Sequence, residues 1–229
     1  DYIHTRNNRV EYCEIFNTSY DLGDSNAVYI HTSNEGNTVY YCYIHDLENP
    51  HAGAALRTDN IQRHGIFSHN IIQNVRGGGG ISASYNTIVR NNYVIDTGRT
   101  IYLHQGPWPN TSLIEKNICY FSPRNKAIPY RRRCLPIHLS KAHETWKLRT
   151  VRPDWNLFFS TSYSEEEKAS FAQRPDTVMG PNSLYADPQF EDIKSFRLRK
   201  TSPAFRLGIE PLNRSLMGLL REPCKIRYQ

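Results

Sequence analysis

No apolar run in the chain approaches the length needed to cross a membrane, and no signal-peptide pattern opens it. Hydrophobic residues make up only 38% of the 229, below the usual share for a globular protein. A thin core with many polar turns fits that composition better than one large core. The chain is not a disordered one, because it carries 15 Tyr, 9 Phe and 3 Trp. Its histidines lack metal-ligand spacing, such as two on one helical turn, so no metal centre and no cofactor is expected. Calcium held through Asp21 and Asp24 is the one cation for which donors stand together. Gly77 to Gly80 form a glycine run, but no Lys-Ser/Thr pair follows it, which excludes a phosphate loop. The run reads instead as a tight turn that tolerates no bulk. The net charge of +6 and pI of about 9.1 favour a polyanionic partner. No known nucleic-acid motif accompanies that charge, so neither nucleic acid nor membrane is expected as a partner. Five cysteines are an odd number, leaving at least one thiol unpaired within the chain.

What the chain does have is a repeat. Five segments share one pattern: an apolar residue, two spacers, Asn or Cys, one spacer, and a second apolar or Cys position. They are Val10-Cys13-Ile15, Val39-Cys42-Ile44, Phe67-Asn70-Ile72, Val89-Asn92-Val94 and Ile114-Asn117-Cys119, at spacings of 29, 28, 22 and 25 residues. Each is followed by a second short strand: Val28-Tyr29-Ile30, Ala54-Ala55-Leu56, Gly80-Ile81-Ser82, Ile101-Tyr102-Leu103 and Ala127-Ile128-Pro129. A 20–30-residue period carried by short strands means a solenoid, here an all-β, right-handed parallel β-helix. An ordinary β-sandwich would not need Asn at one offset in three consecutive units.

The recurrent Asn reads as a turn residue whose amide bonds the Asn of the next repeat. Cys13 and Cys42 hold the same place in the first two repeats. They are expected to be free, stacked and buried. The repeat is expected to span residues 1–135. Residues 136–229 read as an irregular C-terminal segment packed on the solenoid and capping its end. Within it, residues 164–173 predict a short helix with Ser164 as N-cap, Glu165 to Glu167 in the first turn and Pro175 as the stop. Residues 187–190 read as a turn entering an edge strand, and residues 196–198 as a brief strand. Residue 1 falls almost directly into a strand motif, which exposes an open sheet edge. The expectation is a longer protein of which this is the C-terminal part, or a mature or trimmed product.

The tail carries a family likeness. Asp154-Trp155-Asn156-Leu157-Phe158, Ala186-Asp187-Pro188-Gln189-Phe190, Phe196-Arg197-Leu198, Ser202-Pro203-Ala204 and Leu207-Gly208 follow one another in order. This resembles the C-terminal segment of right-handed parallel β-helix carbohydrate-active proteins, including glycoside hydrolases similar to family 141 and several polysaccharide lyases. The resemblance implies a glycoside hydrolase acting on a polysaccharide, secreted, periplasmic or at the cell surface. Asp24 to Tyr29 looks like a segment where an Asp precedes a strand facing the sugar. Ile101 to Gly106 looks like a strand that in many relatives ends in two acids. His104 and Gln105 stand there instead, which leaves a polysaccharide lyase and a non-catalytic sugar-binding or adhesion module open beside the hydrolase.

Stacking the second strands aligns His31, Arg57, Ser84, His104 and Arg131 in an outward column, with Tyr29, Ser82 and Tyr102 beside it. Arg57 and Arg131 suit a carboxylate or sulfate. Tyr29 and Tyr102 offer ring faces to a sugar. His31 and His104 exchange protons near neutral pH. Trp108 follows on a loop, as a sugar platform or a loop anchor. Asp24 is the best acid for hydrolysis. Asp21, Glu35 and Asp59 are its candidate partners, and Asp59 is expected on the far side of its strand, too distant on an extended path to pair with it. Asn17, Asn110 and Asn213 head glycosylation sequons.

Overall fold

The computed structural model describes residues 4–18, 24–48, 53–59, 63–84, 86–103, 111–122, 137–139, 151, 153–171 and 177–218. The protein is mostly β-sheet with one short α-helix. The first strands are β1 (Arg9–Glu11), β2 (Glu14–Phe16), β3 (Val28–His31), β4 (Thr38–Tyr40), β5 (Tyr43–Glu48) and β6 (Ala54–Asp59). Then come β7 (Ile66–Ser68), β8 (Ile71–Ala83), β9 (Ile88–Arg90), β10 (Tyr93–Leu103), β11 (Leu113–Glu115), β12 (Ile118–Phe121) and β13 (Ile137–Leu139). β14 (Leu157–Ser160), α1 (Glu165–Phe171), β15 (Thr177–Val178), β16 (Leu184–Tyr185), β17 (Phe190–Asp192) and β18 (Arg197–Leu198) complete it.

Pairing follows the repeat. One parallel sheet runs β1-β4-β7-β9-β11 and puts Val10, Val39, Phe67, Val89 and Ile114 in one row. A second runs β2-β5-β8-β10-β12-β14-β16, aligning Ile15, Ile44, Ile72, Val94, Cys119 and Phe158. β3 and β6 join this sheet through β8. The two rows pack into one core, where Val39, Ile44, Phe67, Ile72, Val89 and Val94 lose all contact with solvent.

Between the two sheets the chain turns through a fixed device. Tyr12, Tyr41, His69, Asn91, Lys116 and Trp155 all take left-handed backbone, with φ between 53° and 59°. On the last four of these turns the next residue is a rung of a side-chain ladder, and on the first two Cys13 and Cys42 hold that place. Asn92 Oδ1 accepts from the backbone N–H and the amide of Asn70, both at 3.0 Å. Asn117 does the same for Asn92, and Asn156 for Asn117, at 2.9–3.0 Å. The ladder starts where Asn70 Oδ1 accepts from Cys42 N at 2.9 Å and ends where Ser183 Oγ accepts from Asn156 N at 3.0 Å. Each buried amide is thus satisfied by its neighbours.

The expected Asn stacking holds, but the repeat does not stop at residue 135. Asn156 and Ser183 extend the ladder, with β14 and β16 pairing in register after β12. The partner of Tyr102 on the last described second strand is His138, not a residue of 127–129, which lie outside the described residues. Cys42 is fully buried and free, but Cys13 is only half-buried, because no described strand pairs beyond β2. Burial pushes the Cys42 thiol up to about 11. The glycine run is no turn. It lies inside β8, and at Gly80 the neighbouring strand comes too close for a side chain. A Cβ on Gly80 would sit 2.3 Å from Val94 Cγ1 and 2.8 Å from Thr100 O. Gly80→Ala should therefore lower stability by about 1–3 kcal/mol, read as a reduced urea midpoint at unchanged slope.

The helix is capped as expected: Ser164 Oγ accepts from Glu167 N at 3.2 Å, and Glu167 Oε2 accepts from Ser164 N at 3.0 Å. Pro175 lies outside the described residues. The tail from Phe196 on packs along the outer face of the second sheet. Phe196, Leu198, Ala204, Leu207, Ile209 and Leu212 cover Tyr43, Ile71, Tyr93, Ile95, Ile118 and Leu157. It runs back down the stack. Asn91 Oδ1 accepts from Glu210 N at 2.7 Å, Tyr41 OH from Asn213 N at 3.2 Å and Tyr12 O from Gly218 N at 2.9 Å.

Candidate functional site

β3 and β6 carry Tyr29, His31, Arg57 and Asp59. Their register is Val28 with Leu56, Tyr29 with Arg57, Ile30 with Thr58 and His31 with Asp59. β8 and β10 continue it, so Tyr29, Arg57, Ser82 and Tyr102 stand in one row, with Ser82 buried and Tyr102 paired in register with His138. The expected row of His31, Arg57 and Ser84 is off by two residues. A two-residue slip leaves every side chain on the same face, so alternation alone does not detect it. Ser84 is not outward. It lies past the end of β8, fully buried, where its N–H donates to Thr58 Oγ1 at 2.8 Å. His104, Trp108, Arg131 and Asp21 lie outside the described residues.

The true register builds a cluster around Arg57. Its Nη1 donates to Asp24 Oδ1 and its Nη2 to Asp59 Oδ2, the latter at 2.6 Å. Tyr29 OH donates to the same Asp59 oxygen at 3.0 Å. The guanidinium carbon stands 5.3 Å from the Tyr29 ring centre, and the His31 ring packs edge-on to Tyr29 at 5.5 Å. Thr32 Oγ1 and His31 Nδ1 share a hydrogen bond at 2.8 Å. The Arg57 and Asp59 side chains are 11% and 14% exposed, whereas Asp24 is 65% exposed. One end of the cluster is fixed and the other faces solvent.

Local sequence explains the placement. Asp24 sits in a left-handed turn (φ 57°), which Asp tolerates. Asn26 ties that turn to the next strand: its Oδ1 accepts from Ala54 N at 2.8 Å, and its amide donates to Asp24 O at 3.3 Å. Arg57 and Asp59 are two apart on one strand and so share a face. That i, i+2 signal was readable, but the expectation that Asp59 lies too far from Asp24 is overturned. Both carboxylates bind one guanidinium, which keeps them inside the upper limit of about 10 Å that glycoside hydrolysis sets. Burial and the Asp59 hydrogen bond raise the Tyr29 phenol above its usual range, so it stays a proton donor. Burial alone would lower the Arg57 guanidinium, but Asp59 and Asp24 outweigh it and hold the charge. Farther along the row Arg99 stacks over Tyr102 at 4.6 Å.

A second polar row lies at the bend between the two parts of the long strands. Asp46, Asn74 and Asp96 occupy equivalent left-handed positions. Burial would raise the Asp46 carboxyl, but the Asn74 amide and His45 prevail and hold it low. Among the described residues Asp96 has no such partner. Burial pushes it up to about 6, against the pull of the Ser122 N–H 2.5 Å from Oδ1. Its folded value lies above the unfolded one of about 3.9, so its stabilising share is complete below about pH 4 and is lost as pH rises through 6. Asp96→Asn keeps the acceptor for Ser122 and a residue suited to left-handed backbone, as Asn74 shows. It should gain about 2–3 kcal/mol over wild type at pH 7.5 and little at pH 4. Urea titrations at both pH values check this, and equal gains at both would refute it.

Among the described residues, no three His, Cys, Asp or Glu side chains gather as a metal site, and no helix is long and apolar enough to cross a membrane. Compared with protein-family models, curated proteins and solved structures, the chain matches none.

Proposed function

We propose that the stacked repeats form a right-handed parallel β-helix and that the protein is a glycoside hydrolase acting on a polysaccharide across the β3–β6 face. The likeness of its tail to β-helix carbohydrate-active proteins points the same way. One observation carries the reaction class: two carboxylates, Asp24 and Asp59, held by the single guanidinium of Arg57, with Tyr29 and His31 alongside. The right-handed crossover is the one that parallel strands in one sheet adopt. In this reading Asp59, fixed by two donors, attacks the anomeric carbon or activates water, and solvent-facing Asp24, drawn off Arg57 by substrate and protonated from solvent, passes that proton to the leaving oxygen. Tyr29 presents a ring face and a hydroxyl to the sugar. A polysaccharide substrate would place the protein outside the cell, secreted or at the cell surface.

The test is a screen of neutral and acidic polysaccharides, read both by new reducing ends and by absorbance of unsaturated product. Reducing ends alone are the expected result. Both signals together identify a lyase, with His31 or His104 as the base and Arg57 on the substrate carboxylate. Binding with neither signal identifies a non-catalytic sugar-binding module.

A further inference from the structure

Arg57 is engaged on both of its terminal nitrogens. Nη1 donates to Asp24 and Nη2 to Asp59, and the guanidinium carbon stands 5.3 Å from the Tyr29 ring centre. One positive charge therefore serves two negative ones. A guanidinium holds a substrate carboxylate or sulfate only through donors it can turn toward it. Those donors are already turned to the protein's own acids. The overall charge of +6 does not offset this, because charges farther off than about 10 Å are screened at ordinary salt.

The two kinds of sugar meet this cluster differently. An acidic sugar entering between Asp24 and Asp59 must displace one of them from Arg57. That exchange puts one carboxylate on Nη1 in place of another and gains no ion pair. It also sets three carboxyl groups around one guanidinium, where like charges repel. A neutral sugar adds no charge. When Asp24 leaves Arg57 and takes up a proton, Asp59 and Arg57 remain as one balanced pair, and Nη1 can donate to a sugar hydroxyl. Arg99, stacked over Tyr102 at 4.6 Å, stands two strands farther along the row, about 10 Å on. That is beyond the sugar unit that Asp24 and Asp59 flank.

Given the hydrolase reading, on which this rests, we propose that the Asp24–Arg57–Asp59 cluster selects against anionic sugars, so that the substrate is an uncharged polysaccharide rather than a uronate or sulfated polymer. Arg57 sets this specificity by being occupied. The same occupancy tells against lyase chemistry, in which Arg57 has to be open to the substrate carboxylate.

The test uses each polysaccharide that yields new reducing ends, in charged and uncharged form. A neutral polymer is carboxymethylated, with the hydroxyethylated polymer as the control for bulk, and an acidic polymer is methyl-esterified. The uncharged form should have a kcat/KM about tenfold or more above the charged one. Its KM should change less than about twofold between roughly 20 and 500 mM salt. Calorimetry on matched hexasaccharides gives a readout that needs no turnover. Asp24→Asn should raise acidic relative to neutral binding about tenfold, because one of the two negative charges on Arg57 is gone. A charged polymer cleaved by hydrolysis as fast as its uncharged form, or a binding ratio unchanged in Asp24→Asn, overturns the proposal and leaves the hydrolase reading standing. No new reducing ends from any polymer, or unsaturated product from an acidic one, overturns the hydrolase reading and the proposal with it.

Discussion

Asn92→Ala should lower the unfolding free energy by about 3–5 kcal/mol, a large share of what holds a domain folded. Asn92 stands mid-ladder and makes every bond its side chain offers. Its Oδ1 accepts from the Asn70 backbone and amide, and its Nδ2 donates to Phe67 O at 2.8 Å and Asn117 Oδ1 at 3.0 Å. Truncation leaves two donors on Asn70 and one carbonyl on Phe67 without those partners, all in an interior that excludes water. Asn92→Asp preserves the size and the acceptors but not the donor, and it buries a charge, so it should be no better tolerated at neutral pH. Ser183→Ala, at the ladder's end, removes a single acceptor from Asn156 N and should cost only about 1 kcal/mol. Chemical unfolding of the three variants checks the ordering. An Asn92→Ala protein as stable as Ser183→Ala would show that the ladder is not cooperative.

The ladder was also the most legible part of the sequence. A repeat of apolar residue, Asn and apolar residue fixes both the row of core side chains and the place of the turn. Asn70, Asn92 and Asn117 fell where that pattern put them. The extension through Asn156 and Ser183 was not legible, because 39 residues separate Asn117 from Asn156 and the last rung is a serine. The left-handed turns were hidden for a different reason. Tyr, Lys and Trp carry no propensity for that backbone, so at those turns only the register of the ladder reveals it. On the β3–β6 face, alternation named the outward residues Tyr29, His31 and Arg57 but not their alignment. It was the match of Val28 to Leu56, two large side chains facing one core, that set Arg57 beside Tyr29 and Asp59 beside His31. That shift changed the chemistry. Arg57 read as a free anion-binding cation, and it is instead engaged by two carboxylates.

Asp59→Asn should reduce turnover about 100-fold or more on the polysaccharide found in the screen, with little change in substrate binding. The carboxamide oxygen can still accept from Tyr29 and Arg57, so the side chain keeps its place while losing the negative charge needed for attack or base catalysis. Some stability is lost with the half-buried ion pair to Arg57, and a thermal melt separates that loss from the chemistry. Asp24→Asn should cut turnover by a similar factor but leave the melt nearly unchanged, because Asp24 is largely solvated and an exposed ion pair contributes little. Arg57→Ala removes the group that holds the two carboxylates together. It should cost both stability and rate, and Arg57→Lys should restore neither fully, since an ammonium does not span two acids as a fork does. The signature of a working pair is that both Asp→Asn variants lose rate while only Asp59→Asn loses stability. Should both keep full rate, the Arg57 cluster is a structural clamp on β3 and β6, and hydrolysis is carried elsewhere on the chain.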